Sequence, residues 1–261
     1  MAEPALSVHA LGKTYGDFTA VESVSFDIQA GGSLALVGES GSGKTTTARM
    51  IAGLERATTG SFTVDGAPPA RKLAERARQI QMVFQDPYSS LDRRQRVRSC
   101  LAEAVQLHSP ARGTALQARV EELLDLVGLD SRQADARPGT LSGGQRQRVA
   151  IARALAAEPR ILILDEAVAA LDVSIQAQVL TLLAKLRAAA GVTMLFITHD
   201  LAIVPYVCDD VLVMCKGRIV ERGTVERVLT DPDAPYTRRL LDAVPRPGWR
   251  PKRADALHDV M

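Results

Sequence analysis

Long apolar runs are missing from this 261-residue chain. Nowhere does it approach the roughly 18 consecutive apolar residues that a helix needs to cross a bilayer, so no membrane span is expected. The start, Met1-Ala2-Glu3-Pro4, has no basic stretch leading into an apolar one, which predicts no secretory leader. Cysteine is scarce: Cys100, Cys208 and Cys215 are odd in number and lack metal-type clustering, which argues against a disulfide framework and for a reducing compartment. A dominant charge is lacking too. A formal net charge of +2 is too close to neutral for a nucleic-acid or lipid surface covering the whole molecule. With 46% hydrophobic and 24% charged residues, the composition is that of a globular protein, expected to be cytosolic unless a partner docks it to a membrane. Its length suits one core plus a lobe or an extension.

The pattern of elements changes along the chain. Short β-type runs fill roughly 6 to 66 (Leu6 to Leu11, Val24 to Ile28, Ser33 to Val37, Ser61 to Val64), punctuated by Gly31-Gly32, Gly60 and Asp65-Gly66. Lys44 to Leu54 reads as a helix, so Ser33 to Leu54 is strand, glycine-rich loop, helix. From about 88 to 157 helical periodicity takes over, in Val120, Leu123, Leu124 and Val127 and in Val149, Ile151, Ala152 and Leu155; this predicts a helical lobe. Ile161 to Leu164 and Thr193 to Thr198 read as buried parallel strands around the helix-like Ser174 to Ala190. Asp210 to Met214 and Arg218 to Glu221 flank Lys216-Gly217 as a hairpin. Beyond Pro245 the chain is Pro-rich and basic, and a loose tail over 246–261 is expected.

Gly38-Glu39-Ser40-Gly41-Ser42-Gly43-Lys44-Thr45 matches G-x-x-x-x-G-K-[ST] in full. Its glycines let main-chain N–H groups turn inward around phosphates, and the helix that follows adds its positive N-terminal end. Lys44 can then reach β- and γ-phosphates, and the hydroxyl of Thr45, which Thr46 follows, can ligate Mg²⁺. A flexible Gly/Ser turn is the bland alternative; the strand before and the helix after speak against it. Ile161 to Leu164 ends in Asp165-Glu166, placing two carboxylates at the carboxyl edge of a parallel sheet. Asp165 is expected to hold Mg²⁺, and Glu166 to polarise a water attacking a γ-phosphate. His199, after another apolar strand, can hydrogen-bond a γ-phosphate, and Gln85, after Ile80 to Phe84, can reach the metal or the water. Taken singly, both are weak signals.

Leu141-Ser142-Gly143-Gly144-Gln145-Arg146-Gln147-Arg148-Val149 adds a second candidate anion site, with Ser142 as N-cap and Gly143-Gly144 leaving N–H groups bare at a helix start. Its arginines read as a solvated basic face. This segment resembles the signature of ABC ATPases. The resemblance implies a P-loop α/β core with a mostly parallel sheet, an antiparallel β subdomain and an inserted helical subdomain, together spanning 1–245. It also implies that two such domains trap ATP between one subunit's phosphate loop and the other's signature, so that Ser142, Gly143 and Gly144 touch ATP on the partner. By position, Tyr15 resembles the aromatic that stacks on adenine, Gln85 the Q-loop glutamine, Asp172 the D-loop aspartate and His199 the switch histidine. The chain departs from the family at Ala167 and Ala169, where Pro and Ser or Thr are usual, which puts the geometry between D-loop and partner in question.

Phe84 to Leu91, Leu171 to Leu180 and Pro235 to Leu241 look most like the subfamily serving oligopeptide, dipeptide and nickel importers. That likeness implies an ATP hydrolase, using ATP and Mg²⁺, at the cytoplasmic face of the membrane. Its implied partners are a second ATPase subunit of the same or a related chain, two permease subunits and, indirectly, an extracytoplasmic binding protein. Peptide uptake leads, with nickel or a metal chelate next. No cysteine follows Cys215, so no C-terminal iron–sulfur cluster is expected. A non-transport ABC ATPase acting on DNA or the ribosome is disfavoured because neither a long coiled-coil insertion nor a second cassette is present, and no nucleic-acid partner is expected. A GTP-dependent switch would need an Asn-Lys-x-Asp motif, which the chain lacks.

Overall fold

The structure, a computed structural model of the chain, describes residues 3–243. Strands β1 (Leu6–Tyr15) and β2 (Phe18–Ile28) form an antiparallel hairpin. β3 (Ser33–Val37) leads through the glycine-rich loop into α1 (Lys44–Ala52), and β4 (Thr59–Val64) returns to pair with β1 in a three-stranded sheet of order β2-β1-β4. α2 (Leu73–Gln79) runs directly into β5 (Ile80–Val83). Five helices follow: α3 (Pro87–Ser90), α4 (Val97–His108), α5 (Gly113–Val127), α6 (Ser131–Ala134) and α7 (Gly143–Leu155). β6 (Ile161–Asp165), α8 (Val173–Ala190) and β7 (Thr193–Thr198) return the chain to the core. The hairpin of β8 (Asp210–Cys215) and β9 (Arg218–Thr224), then α9 (Val225–Thr230) and α10 (Pro235–Asp242), complete the described part.

The central sheet has the order β5-β6-β7-β3-β8-β9, parallel except for the last pair. Its inner strands are mostly apolar because both faces are covered. Successive side chains point to opposite faces, and the two cores divide accordingly. Ala35, Val37, Leu162, Leu164, Met194 and Phe196 join the core beneath the helices. Leu34, Leu36, Ile161, Ile163, Leu195 and Ile197 join the core against α1 and the three-stranded sheet. The architecture is thus the expected α/β one.

Some boundaries differ from the sequence pattern. α1 stops at Ala52, two residues early, because Gly53 takes a left-handed conformation (φ 76) that lets Leu54 N–H close onto the Arg49 carbonyl. β1 and β2 extend to Tyr15 and back to Phe18, where buried Ala20 and Val21 sit among exposed or half-buried residues and register shifts blur the alternation. α2 has no buried residue to mark it, and α9 and α10, whose buried pairs Val225/Val228 and Thr237/Leu241 have helical spacing, are too short for the pattern to repeat. The tail expected over 246–261 lies outside the described residues.

The arginines of α7 are not the solvated face expected of them. Arg148 donates from Nη1 to the Val127 carbonyl at the end of α5 (2.8 Å), Arg146 to the Leu141 carbonyl (2.5 Å), and Arg153 to the Ser90 carbonyl. These bonds satisfy exposed carbonyl ends and tie α7 to its neighbours. Beneath them Leu123 and Leu124 of α5 are fully buried with Leu101 of α4 and Ile151 of α7. Leu123→Ala should therefore cost ~2–5 kcal/mol in denaturant unfolding, and a loss below ~1 kcal/mol would show that the helices are loosely packed.

Candidate functional site: a nucleotide cleft at the carboxyl edge of the sheet

Strands β5, β6, β7 and β3 are neighbours and end together, with Val83 opposite Leu164, Asp165 opposite Ile197 and Val37 opposite Thr198. The register brings the residues just beyond each strand into one place: Gln85 after β5, Glu166 after β6, His199 after β7 and the Gly38–Thr45 loop after β3. Ligands of open α/β sheets bind at such an edge.

The loop is built to leave donors unused. Gly43, N-cap of α1, has φ 103, and a Cβ there would lie 2.6 Å from the Ala20 carbonyl oxygen, so only glycine fits. No side chain caps α1 and no acidic residue stands in its first turn; the positive end of the helix stays available for an anion. From outside, Gly217 in the β8–β9 turn donates its N–H to the Ser42 carbonyl at 3.0 Å. Lys44, with only 4% of its surface exposed, points its ammonium at the carbonyls of Gly38 and Glu39, both at 2.8 Å. Burial lowers its pKa, against the opposing pull of Glu166, Asp165 and Glu39.

The carboxylates are held differently. Asp165 is buried (5% exposed) and accepts from Thr45 Oγ1 at 3.0 Å; burial pushes its pKa up, and the Thr45 bond offsets part of this. Glu166 adopts φ 48, uncommon for a non-glycine residue. Its N–H donates to the Ile197 carbonyl (2.9 Å) and its own carbonyl accepts from Ala169 N–H (3.1 Å), so the turn forms with alanines at 167 and 169. One carboxylate oxygen accepts from Gln85 Nε2 at 2.8 Å and the other meets His199 Nδ1 at 3.1 Å. Gln85 and His199, from two strand ends, thus converge on the carboxylate carried by a third.

Other expected site residues lie apart. Tyr15, at the end of β1, is 45% exposed, and Lys13 Nζ sits 4.6 Å from its ring centroid while pairing with Glu55 at 2.6 Å. Asp172 precedes α8 and makes no side-chain cap bond. Ser142 caps α7 in a reciprocal box: Gln145 N–H donates to Ser142 Oγ (3.3 Å) and Ser142 N–H to Gln145 Oε1 (2.9 Å). The S-x-x-Q spacing that signals such a box is legible in the sequence, and Gln145's role in it was not anticipated. The cap uses the serine oxygen as acceptor and leaves its proton to donate elsewhere; the N–H groups of Gly143 and Gly144 have no partner inside the helix. Among the described residues no hydrogen bond joins the 142–144 segment to the 38–46 loop. One bond was missed altogether: Tyr236 of α10 accepts from the Glu39 N–H at 3.2 Å, across 197 positions of sequence that carry no local sign of it.

A family model described as ABC transporter matches residues 21–169, more than half of the chain. The chain belongs to the ABC transporter family. Its fold is that of the ABC ATPase domain: the solved dimeric structure titled as a post-hydrolysis state of the ATP-binding cassette MJ0796 bound to ADP and Pi matches with a TM-score of 0.75 and 28% identity, over 84% of this chain and 98% of that one. Among curated proteins, the oligopeptide transport ATP-binding protein OppF of Bacillus subtilis is 46% identical over 238 residues, 89% of this chain and 78% of that protein. The glutathione import ATP-binding protein GsiA of Salmonella typhimurium is 46% identical over 230 residues, 87% of this chain but only 37% of that longer protein. For an ABC transporter chain the signature helix has little room to spare: a Cβ on Gly144 would lie 2.2 Å from Ile175 Cγ2 of α8. Gly144→Ala should cost ~1–3 kcal/mol of unfolding free energy, and Gly144→Ala/Ile175→Ala should recover part of it relative to Ile175→Ala alone; strict additivity in that cycle would place the strain elsewhere.

Proposed function

We propose that this chain is the ATP-hydrolysing subunit of an ABC importer whose cargo is peptides, acting as one of two paired ATPase domains at the cytoplasmic face of the membrane. The Glu166 carboxylate, fixed between Gln85 and His199 beside the Lys44 loop, is the observation that carries the reading. The names of the relatives at 46% identity, oligopeptide transport and glutathione import, favour peptide cargo over nickel or a metal chelate.

Lys44 would exchange main-chain carbonyls for phosphate oxygens, a stronger, charge-assisted pairing, while the bare N–H groups of the loop and of α1 take the rest of the phosphate charge. Mg²⁺ fits the donors present: Thr45 and Asp165 would hold it, with Gln85 in reach, and it would neutralise charge on the β- and γ-phosphates. Among the described residues no cluster of three or more His, Cys, Asp or Glu could hold a metal alone, which suits an ion taking its other ligands from substrate and water. Glu166 would accept the proton of the attacking water. Gln85 and His199 keep its oxygens directed, and His199 retains Nε2 for the γ-phosphate. Ser142, Gly143 and Gly144, remote from the chain's own loop, would meet ATP on a second ATPase subunit, with Asp172 beside the joint and Tyr15 against the adenine. Binding then closes the pair and hydrolysis releases it.

No described helix is long and apolar enough to cross a membrane; on this reading the membrane-spanning part is supplied by permease subunits, with an extracytoplasmic binding protein acting through them. A groove of about 930 Å³ beside the Gln85 segment fits a permease contact; Leu73, Leu107 and Leu54 line it with 84%, 74% and 59% of their surfaces exposed, and Asp92, Gln95 and Glu103 add polar edges. Exposed Arg93 and Arg94 stand next to it.

Two measurements test this. Glu166→Gln should bind ATP with hydrolysis lowered ~10²–10⁴-fold, and its size should double on ATP addition when two copies can pair. ATP binding without pairing assigns the second site to a related chain, and absence of ATP binding overturns the reading. Charge reversal at both Arg93 and Arg94 should reduce copurification with the permeases while leaving ATP affinity unchanged; normal copurification would remove this edge from the docking surface.

A further inference from the structure

The Gly38–Glu39 peptide unit is held at both of its polar ends. Its carbonyl, on Gly38, accepts from Lys44 Nζ at 2.8 Å; its N–H, on Glu39, donates to the Tyr236 hydroxyl at 3.2 Å. Because a peptide unit is planar, fixing the direction of one group fixes the other. We propose that Tyr236 is a positioning residue for nucleotide binding: by holding the Glu39 N–H toward α10, it keeps the Gly38 carbonyl turned to Lys44 and so sets where the ammonium waits for phosphate. The proposal rests on the ATP-binding reading of the loop.

Helix α10 is anchored firmly enough to serve as a support. Glu221 of β9, with 8% of its surface exposed, accepts from the N–H groups of Asp233 (2.7 Å) and Ala234 (3.1 Å) just before the helix. Arg227 pairs with Asp233 at 2.5 Å, and Arg238 Nε donates to the Pro232 carbonyl at 2.9 Å. Pro235 opens the helix with its φ already set, and Thr237 and Leu241 are buried. Tyr236 is half-buried with the Arg239 guanidinium 5.9 Å from its ring centroid. Burial also raises the pKa of its hydroxyl, which therefore stays a neutral acceptor for the N–H.

The opposite side of the peptide is closed. A Cβ on Gly38 would stand 2.1 Å from the Met214 carbonyl oxygen and 2.8 Å from Ser42 Oγ, so the end of β8 and the loop itself confine Gly38. Tyr236 supplies the restraint from outside the loop. Through it the C-terminal helix, far from the phosphate loop in sequence, bears on ATP affinity.

The test uses the full chain and compares Tyr236→Phe, which removes one oxygen, with Arg239→Ala, which removes the cation beside the ring and keeps the hydroxyl. Affinity for a non-hydrolysable ATP analogue with Mg²⁺, ATPase KM and kcat, and thermal stability are measured together. Tyr236→Phe is expected to raise Kd and KM about three- to tenfold, equivalent to about 0.6–1.4 kcal/mol, with kcat and melting temperature kept; Arg239→Ala should leave all four unchanged. Wild-type Kd and KM in Tyr236→Phe would overturn the proposal. So would a parallel fall of kcat and melting temperature, which marks a merely structural role, or an equal loss of affinity in Arg239→Ala. Failure of the wild-type chain to bind the analogue would instead overturn the ATP reading, and this proposal with it.

Discussion

One parallel register holds the site together. Asp165 opposite Ile197, Val83 opposite Leu164 and Val37 opposite Thr198 bring four strand ends level, so Gln85, Glu166, His199 and the glycine loop need no further device to meet. The register is strongly specified because each strand carries a different core on each face. Sliding β6 by one residue would exchange the positions of Ile161 and Ile163 with those of Leu162 and Leu164 between two closed cores. Misfit of a core side chain costs ~1–3 kcal/mol, so a slip that misplaced four of them at once would cost an amount comparable with the whole stability of a typical domain. Precision at the polar edge is thus a by-product of apolar packing beneath it.

At that edge each charged group has a stand-in partner within the chain. Lys44 rests on two carbonyls, Asp165 on the Thr45 hydroxyl, and Glu166 on an amide and an imidazole. An unpaired buried charge would cost several kcal/mol, which the nucleotide-free protein avoids by these local bonds. They are weaker than what a polyphosphate and a divalent cation offer, so ligand binding proceeds by exchange of partners rather than by creating order from nothing. The strained backbone at Glu166 (φ 48) is kept by two main-chain bonds on either side of it, which places the carboxylate without spending its oxygens.

Much of this was legible in the residues. Ser33–Val37 and Thr193–Thr198 were recognisable as strands to the residue because a short, uninterrupted apolar or β-branched run between turn signals suits a strand buried on both faces and little else. The phosphate loop and the acidic strand end were recognisable because their chemistry is local: spacing alone sets which groups meet. What the sequence hid was either unburied or distant. β1 beyond Leu11 and α2 lack a buried face to leave a period behind. The arginines of α7 looked solvated, since nothing within α7 names Val127 or Ser90 as the carbonyl each will find. The Tyr236–Glu39 bond joins two exposed-looking segments 197 positions apart in sequence and has no periodicity at all.

Two helix starts with bare donors suit the paired arrangement proposed above. Gly43 is the N-cap of α1 and Gly143 the first residue of α7, and both helices leave N–H groups without partners inside the helix. In α7 the capping box satisfies the Gln145 N–H, and Arg146 N–H bonds to the Ser142 carbonyl at 3.0 Å, which leaves the donors of Gly143 and Gly144 and the proton of Ser142. The helix start lines a small pocket with Gln85, Ala167, Ala170 and Leu171, and among the described residues no hydrogen bond joins it to the chain's own 38–46 loop. In the proposed pair, the donor set left bare at the start of α7 would meet the phosphate site of the second subunit. The segment after Gln85 also borders the exposed leucines of the groove. On the proposed reading, the residues that would sense a γ-phosphate and those that would face a permease are therefore consecutive in sequence, and this continuity would give ATP-driven closure a short mechanical route out of the site.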